Sequence, residues 1–292
     1  MNGGMKWRLL LWLAIGVVTS PPMRADEPSA MLLRLVQQVD VPAREAGLLA
    51  AVHVREGQLV SEAELLALID DTEARLEKEQ AESEAEIARA NAANDVDLRY
   101  ARKSVEVSRA ELRRAEQSNQ HFARSVSESE MDRLQLVLER NALAVEQSEH
   151  ERTIRRLNLD AQESRVRSAE ERVQRHRLQA PFDGLVVQLQ RQAGEWVTPG
   201  EPVIRIVRMD RLRAEGFLPA EYASPDLQGT PVRLQVTPPN ASPLDVPGHI
   251  VFVDPEIDPV NAQILIWVEI ENPELRLRPG MRAWLNRDQL QP

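Results

Sequence analysis

The sequence predicts an α+β protein: a split β-sandwich that carries an inserted, long antiparallel α-helical coiled-coil hairpin and is followed by a small β-barrel. Three observations predict it. One module is written twice, because laying Gly47 on Gly184 places Gly57 on Gly194, Val60 on Val197, Leu66 on Val203 and Ile69 on Ile206, all at one constant offset. From Gln58 to Ala180 there is neither glycine nor proline, although the chain holds 12 and 19 of them elsewhere; without these punctuators the chain reads as helix. After Met209 the text changes to short β-branched runs bounded by Pro, Gly and Asn, the pattern of a small antiparallel sheet or barrel.

The N-terminus comes first. Lys6 and Arg8 precede the apolar run Leu9 to Val18, followed by small residues and "MRADEP". This order predicts a secretory signal peptide over residues 1–25, cleaved after Ala25, with an uncleaved N-terminal anchor as the alternative. The apolar run is ten residues long, about half of what spanning a bilayer takes. Loss of Lys6, Arg8 and Arg24 moves the formal charge from −10 to −13.

The two copies of the module, "AGLLAAVHVREGQLVSEAELLALI" and "APFDGLVVQLQRQAGEWVTPGEPVI", place a split domain at 36–70 and 178–207. Gly47, Gly57, Gly184, Gly194 and Gly200, with Gly280 further on, mark its turns and those of the barrel. One copy has too little apolar surface to stand alone. Two copies face to face would bury Leu49, Val52, Val54, Leu59, Leu66 and Leu68 against Val186, Leu189, Val197, Val203 and Ile206. The repeat is therefore one domain, and most of the chain between the copies is an insertion that leaves and returns to one point.

That insertion, 71–177, reads as two helices. Asp70 with Glu73 fits a capping box at its start, and Ser127 with Glu130 a second one, with Val126 and Met131 placed as a hydrophobic staple. Heptads support antiparallel packing: Leu98, Val105, Leu112 with Ala101, Ala115, Phe122 on one arm, and Met131, Leu138, Val145, Leu159, Val166, Val173 on the other, interrupted at Arg152. Some 50 residues per arm give a length of roughly 75 Å. In the third region, 208–290, "RLRAEGFLP", "PVRLQVTP", "GHIVFVDP" and "AQILIWVEIEN" are strands, a short helix is expected at Ala220 to Ala223, and Pro279-Gly280 turns into a last strand.

Several classes of chemistry are excluded. A charge of −10 without a basic patch argues against nucleic acid. Without cysteine there is no disulfide, thiolate metal site or Cys nucleophile. His53, His121, His150, His176 and His249 form no ligand motif, and the seven methionines are scattered, so no metal is expected. In "VDPEIDP" the prolines make a turn of what would otherwise be an acid pair, and no phosphate loop, G-x-S-x-G or H-E-x-x-H is present. A lipoyl or biotin carrier needs a lysine at the turn joining the half-motifs. The three lysines, Lys6, Lys78 and Lys103, lie elsewhere. The expectation is a non-enzyme without cofactors.

"APFDGLVVQLQRQAGEWVTPGEPVIRIV", "VDPEIDPVNAQILIWVEIENPELRLRPGM" and the upstream "GLLAAVHVREGQLVSEAELLALID" together resemble the HlyD-type membrane fusion proteins, whose split lipoyl or biotinyl-like domain carries a helical hairpin and precedes a barrel. The resemblance covers nearly the whole mature chain. It implies a periplasmic adaptor subunit, assembled side by side into a ring, usually a hexamer. Such a ring links an inner-membrane transporter of the RND or ABC type to an outer-membrane channel like TolC for efflux or secretion. Adaptors that dock such channels often carry Arg, Leu and Ser near the tip; here the corresponding positions are Glu116, Gln120 and Ser127, so the serine alone matches. The chain stops about where the barrel should end, which implies an absent or reduced membrane-proximal domain, and the barrel's Thr-Arg-Thr-like segment reads Asn261-Ala262-Gln263.

Two loops then carry the functional expectation. Ala123, Arg124, Ser125, Val126, Ser127, Glu128 and Glu130 form a hairpin tip placed to meet a partner, and Gln190, Arg191 and Gln192 form a turn that would face the channel of a ring; a plain helix connection and a plain solvent turn are the alternatives. The competing function is an exported coiled-coil structural or interaction protein with no role in transport.

Overall fold

The computed structural model describes residues 28–122, 125–222, 224–238 and 242–290; the predicted signal peptide lies outside them. In chain order the first elements are β1 (Ser29–Leu35), β2 (Gln38–Pro42), β3 (Gly47–Val52), β4 (Leu59–Val60) and β5 (Leu65–Ile69). Three helices follow: α1 (Thr72–Ala93), α2 (Val96–His121) and α3 (Glu128–Arg175). Then come β6 (Arg177–Gln179), β7 (Gly184–Leu189), β8 (Trp196–Val197), β9 (Pro202–Val207), β10 (Arg211–Pro219), β11 (Pro231–Val236), β12 (Leu244–Val253), β13 (Gln263–Glu271) and β14 (Arg282–Leu285). The chain divides into two units, Gln37–Arg208 and the flanking residues. No helix among the described residues is long and apolar enough to cross a membrane.

In the first unit the sandwich consists of two four-stranded sheets, β2-β9-β7-β4 and β6-β5-β3-β8. Each sheet takes two strands from each copy of the module. The copies are interlocked, which corrects the simple face-to-face packing expected from the sequence. The repeat persists down to single hydrogen bonds. Gly57 N–H donates to the Val186 carbonyl and Gly194 N–H to that of Leu49, both at 2.8 Å. Val186 N–H in turn donates to the Gln58 carbonyl at 2.9 Å and Leu49 N–H to that of Glu195 at 2.8 Å. Every one of these bonds has its mate at the equivalent place in the other copy.

The core is built in the same mated way, with Val41 and Leu178, Leu49 and Val186, Val60 and Val197, Leu66 and Val203, Ile69 and Ile206 all buried. A β-carbon on Gly47 would lie 2.7 Å from Ile69 Cγ2, and one on Gly184 would lie 2.8 Å from Ile206 Cγ2, so both glycines are set by close approach. Leu59, expected in the core, is 58% exposed. Its neighbour Val60 faces inward instead, because alternation along the two-residue strand sends one side chain each way. Val52, Leu68 and Leu189 are half-buried.

The hairpin departs from two uninterrupted helices. The outgoing arm is broken between α1 and α2 at Asn94 and Asp95, without glycine or proline. Buried and half-buried positions run 74, 78, 81, 85, 88 and 92 along α1 and then 98, 101, 105, 108, 112 and 115 along α2, so the heptad slips by one residue at the break. Asn94 takes an extended backbone, φ −73° and ψ 113°, and its side chain accepts from Val96 N–H at 3.1 Å. A short polar side chain that bonds its own backbone competes with the helix at the point where the seam is out of phase.

α3 is continuous for 48 residues, about 72 Å. Its half-buried positions include Met131, Leu138, Val145, Leu159, Val166 and Val173. Exposed ion pairs cross the seam, Lys78 to Glu170 at 3.1 Å, Arg89 to Glu163 and Arg102 to Glu149 at 2.8 Å. Screened by solvent, they add less than burying Leu98 and Leu112, about 1.5–3 kcal/mol apiece.

The second unit is a closed barrel of strand order β1-β10-β13-β12-β11-β14. Alternation fills it: Ile264, Ile266, Val268 and Ile270 from β13 meet Leu212, Leu218, Leu234 and Leu285. β1 pairs with both β10 and β14, so the barrel is not confined to 208–290 and takes a strand from before the sandwich. The helix expected at 220–223 is a single 3-10 turn, Ala220–Tyr222.

Candidate functional site

The hairpin tip is built around Asn119. Its Oδ1 accepts from Val126 N–H at 2.8 Å and from the Ser125 hydroxyl at 3.1 Å, while its Nδ2 donates to the Val126 carbonyl at 3.2 Å. With Ser118 Oγ 2.9 Å from Ser125 Oγ, side chains of α2 thus hold Ser125 and Val126 just ahead of α3. Ser127 caps α3, accepting from Glu130 N–H at 3.3 Å. The reciprocal half of the expected box is not made, because the Glu130 carboxylate pairs with Arg133 at 3.3 Å. Glu128 and Glu130 lie in the first turn of α3, where negative charge meets the positive end of the helix dipole. Val126 and Met131 are half-buried.

Ala123 and Arg124 lie outside the described residues. Phe122, assigned to the seam from its heptad position, is instead 74% exposed. As the C-cap of α2 it has left the helix, with φ −135° and ψ 108°, so its side chain no longer follows the seam. The structure thus gathers Ser125, Val126, Ser127, Glu128 and Glu130 beside an aromatic ring that the heptad had hidden. Asn119, which bonds Ser125 and Val126, sits on α2 ahead of the loop and had no motif to mark it.

The base of the arm is clamped to the sandwich. Arg175 Nε donates to Glu45 at 2.6 Å, Ile69 N–H donates to the His176 carbonyl at 2.9 Å, and His176 Nδ1 lies 2.8 Å from the Arg172 carbonyl. The start of α1 differs from the capping box expected there. Asp70 accepts from both the backbone N–H and the hydroxyl of Thr72, at 3.1 and 2.6 Å, and Asp71 is the N-cap. The Thr72 bonds hold the Asp70 carboxyl below its ordinary 3.8.

The sandwich turn is not free. Gln190 Nε2 donates to Asp40 Oδ1 at 2.9 Å, and Arg191 Nε donates to Glu201 Oε1 at 2.7 Å. Glu201 also accepts from Thr198 N–H and hydroxyl. The Arg191 bond, followed by those from Thr198, holds the Glu201 carboxyl below 4.5, and Glu201 in turn raises Arg191. Gln192 is exposed, and its N–H donates to Glu195 at 3.1 Å. Gly57, Gly194, Gly200 and Gly280 occupy turns at φ between +84° and +93°. Lys78 and Lys103 lie on α1 and α2, away from the sandwich turns.

A family model described as CzcB-like, barrel-sandwich hybrid domain matches residues 37–207. MacA from Actinobacillus actinomycetemcomitans superposes with a TM-score of 0.60 at 20% identity, over 89% of this chain and 77% of that one. The membrane fusion protein Spr0693 from Streptococcus pneumoniae gives 0.53 at 13%, over 88% and 96%. A putative efflux transporter from Bacteroides eggerthii gives 0.51 at 17%, over 89% and 68%. No curated protein matches by sequence. At these identities the superpositions speak for the fold, a sandwich, helical hairpin and barrel on one chain. The family model independently covers more than half of the sequence, over the two interlocked copies and the arm between them, and the chain therefore belongs to the family of the CzcB-like, barrel-sandwich hybrid domain.

Proposed function

We infer that the protein is a periplasmic adaptor, which oligomerises through copies of itself and links an inner-membrane transporter, of the RND or ABC type, to an outer-membrane channel for efflux or secretion. The observation that carries this reading is the arm. α3 extends about 72 Å from a base held by Glu45, Arg175 and His176 to a tip that presents Phe122, Ser125 and Ser127. An arm with a clamped root and an exposed aromatic end is suited to reaching a partner. The likeness to a putative efflux transporter and to a membrane fusion protein points the same way.

The chain has no cysteine, so a single Phe122→Cys or Ser125→Cys substitution gives a unique cross-linking site. The expected result is covalent capture of an outer-membrane channel from the tip, with the purified mature protein sedimenting as a ring-sized oligomer at high concentration. A monomer that captures no envelope channel and recovers no transporter would overturn the reading. A second reading rests on Tyr100, Ile154 and Leu157, large apolar side chains exposed on the hairpin. They would let hairpins pair with other coiled coils in an exported interaction protein without transport, and capture of coiled-coil partners alone would favour it.

A further inference from the structure

The break in the outgoing arm creates a site that a linking role leaves unused. Where α1 gives way to α2, a groove of about 560 Å³ opens against α3. Ala92, Ala93, Leu98 and Leu159 give its lining an apolar part beside Thr153, and four arginines but only one glutamate complete it. Arg89 is neutralised by Glu163 and Arg102 by Glu149. Arg155, beside the groove, is held by Asp97 at 3.1 Å and donates to the Asn94 carbonyl at 3.3 Å.

Arg152 and Arg156 line the same groove and make no ion pair within the described residues. They stand one turn apart on α3, where like charges repel each other. Arg152 also occupies the position at which the heptad calls for an apolar side chain, and it is exposed. The groove nearer the base behaves differently. There Arg165 faces Glu84 and Arg172 faces Glu77, so both arginines are matched. In a chain of net charge −10, two arginines without an ion pair beside apolar lining residues offer a place for an added negative charge.

We propose that this groove binds an amphiphilic anion, a single alkyl chain ending in a phosphate-class headgroup. The headgroup lies between Arg152 and Arg156, whose planar donors suit tetrahedral oxyanions, and the chain lies along Ala92, Ala93, Leu98 and Leu159. The volume falls in the range of small-molecule sites, about 300–1,000 Å³. The slipped heptad supplies the groove, since a seam in phase would close it with side chains. This binding is independent of the adaptor reading and stands or falls apart from it.

The test is isothermal titration of the full mature chain with dodecyl phosphate below its micelle concentration, with inorganic phosphate and dodecyl maltoside as separate ligands. The expected result is saturable binding of dodecyl phosphate with one site per chain. Arg152→Gln/Arg156→Gln should weaken it about tenfold or more, with each single substitution intermediate and the helical circular dichroism unchanged. Inorganic phosphate and the neutral maltoside should each bind far more weakly. Absence of saturable binding, equal binding by the double variant, or equal affinity for either comparison ligand would overturn the proposal.

Discussion

Ala63 and Gly200 occupy equivalent positions in the two copies and make equivalent bonds, Ala63 N–H to the Ala180 carbonyl at 2.8 Å and Gly200 N–H to that of Ala43 at 2.9 Å. Both have positive φ, +64° and +87°, a region that costs a residue with a β-carbon about 1–2 kcal/mol. Ala63→Gly recovers that strain less some 0.5–1 kcal/mol of backbone entropy. It should raise the melting temperature slightly, while Gly200→Ala lowers it; thermal unfolding of the pair checks both. Asn272 is another demanding position. Buried in the barrel, it donates to the Met209 and Leu277 carbonyls at 2.8 and 3.0 Å and accepts from Leu277 N–H at 3.0 Å. Asn272→Ala strands three groups and should cost about 2–4 kcal/mol in urea unfolding. Titration follows from the same geometry. Asp70 and Glu201 have lowered pKa values in the fold; their contributions are fully present above the ordinary values, 3.8 and 4.5, and are lost as pH falls through the folded values. Lys78, raised by Glu170, contributes below 10.5 and loses that contribution as pH rises through its folded value. The melting temperature should therefore fall off on both sides of that window. The repeated glycines were legible because equal backbone demands recur at equal offsets. The exceptions were not: Phe182 is buried where its mate Glu45 holds the hairpin base, and Val54 is buried where its mate Arg191 binds Glu201.

Along the hairpin, the heptad from Leu98 to Ala115 was legible because Leu and Val mark it. The α1 stretch was not, because its seam is made of Ala74, Ala81, Ala85 and Ala88, residues that a hydrophobic period barely registers. The break at Asn94 and Asp95 escaped for a related reason: what ends the helix there is a slip in phase, with no glycine or proline to announce it. Leu112 is buried in the α2 seam, and Leu112→Asp should cost several kcal/mol, seen as earlier loss of helical circular dichroism on heating. Asn141 on α3 donates to the Ser104 carbonyl at 3.3 Å, beside Ser108, which is buried in α2. A polar residue in a seam fixes register at a cost in stability. Asn141→Leu should raise the urea midpoint, by about 1 kcal/mol in stability, and loosen the alignment of the two arms.

At the scale of the molecule, the constant offset between the two copies was enough to show one domain split by an insertion. It could not show the interlocking, because strand alternation is the same whether the copies exchange edges or stay apart. Nor did local pattern show that β1 belongs to the barrel, since "SAMLLRL" alternates as well for either sheet. The pairing of β1 with β14, Ala30 opposite Trp284 and Met31 opposite Ala283, ties the order of synthesis to the order of folding. Residues 37–208 form a contiguous unit, so the strand pairings of its two sheets can close once Arg208 has emerged. β1 is made before any of them, yet one of its edges waits for residues about 250 positions later, the kind of long-range closure that forms slowly. A chain terminated before Arg282 should leave that edge open to other chains and precipitate, while its sandwich and hairpin are already complete.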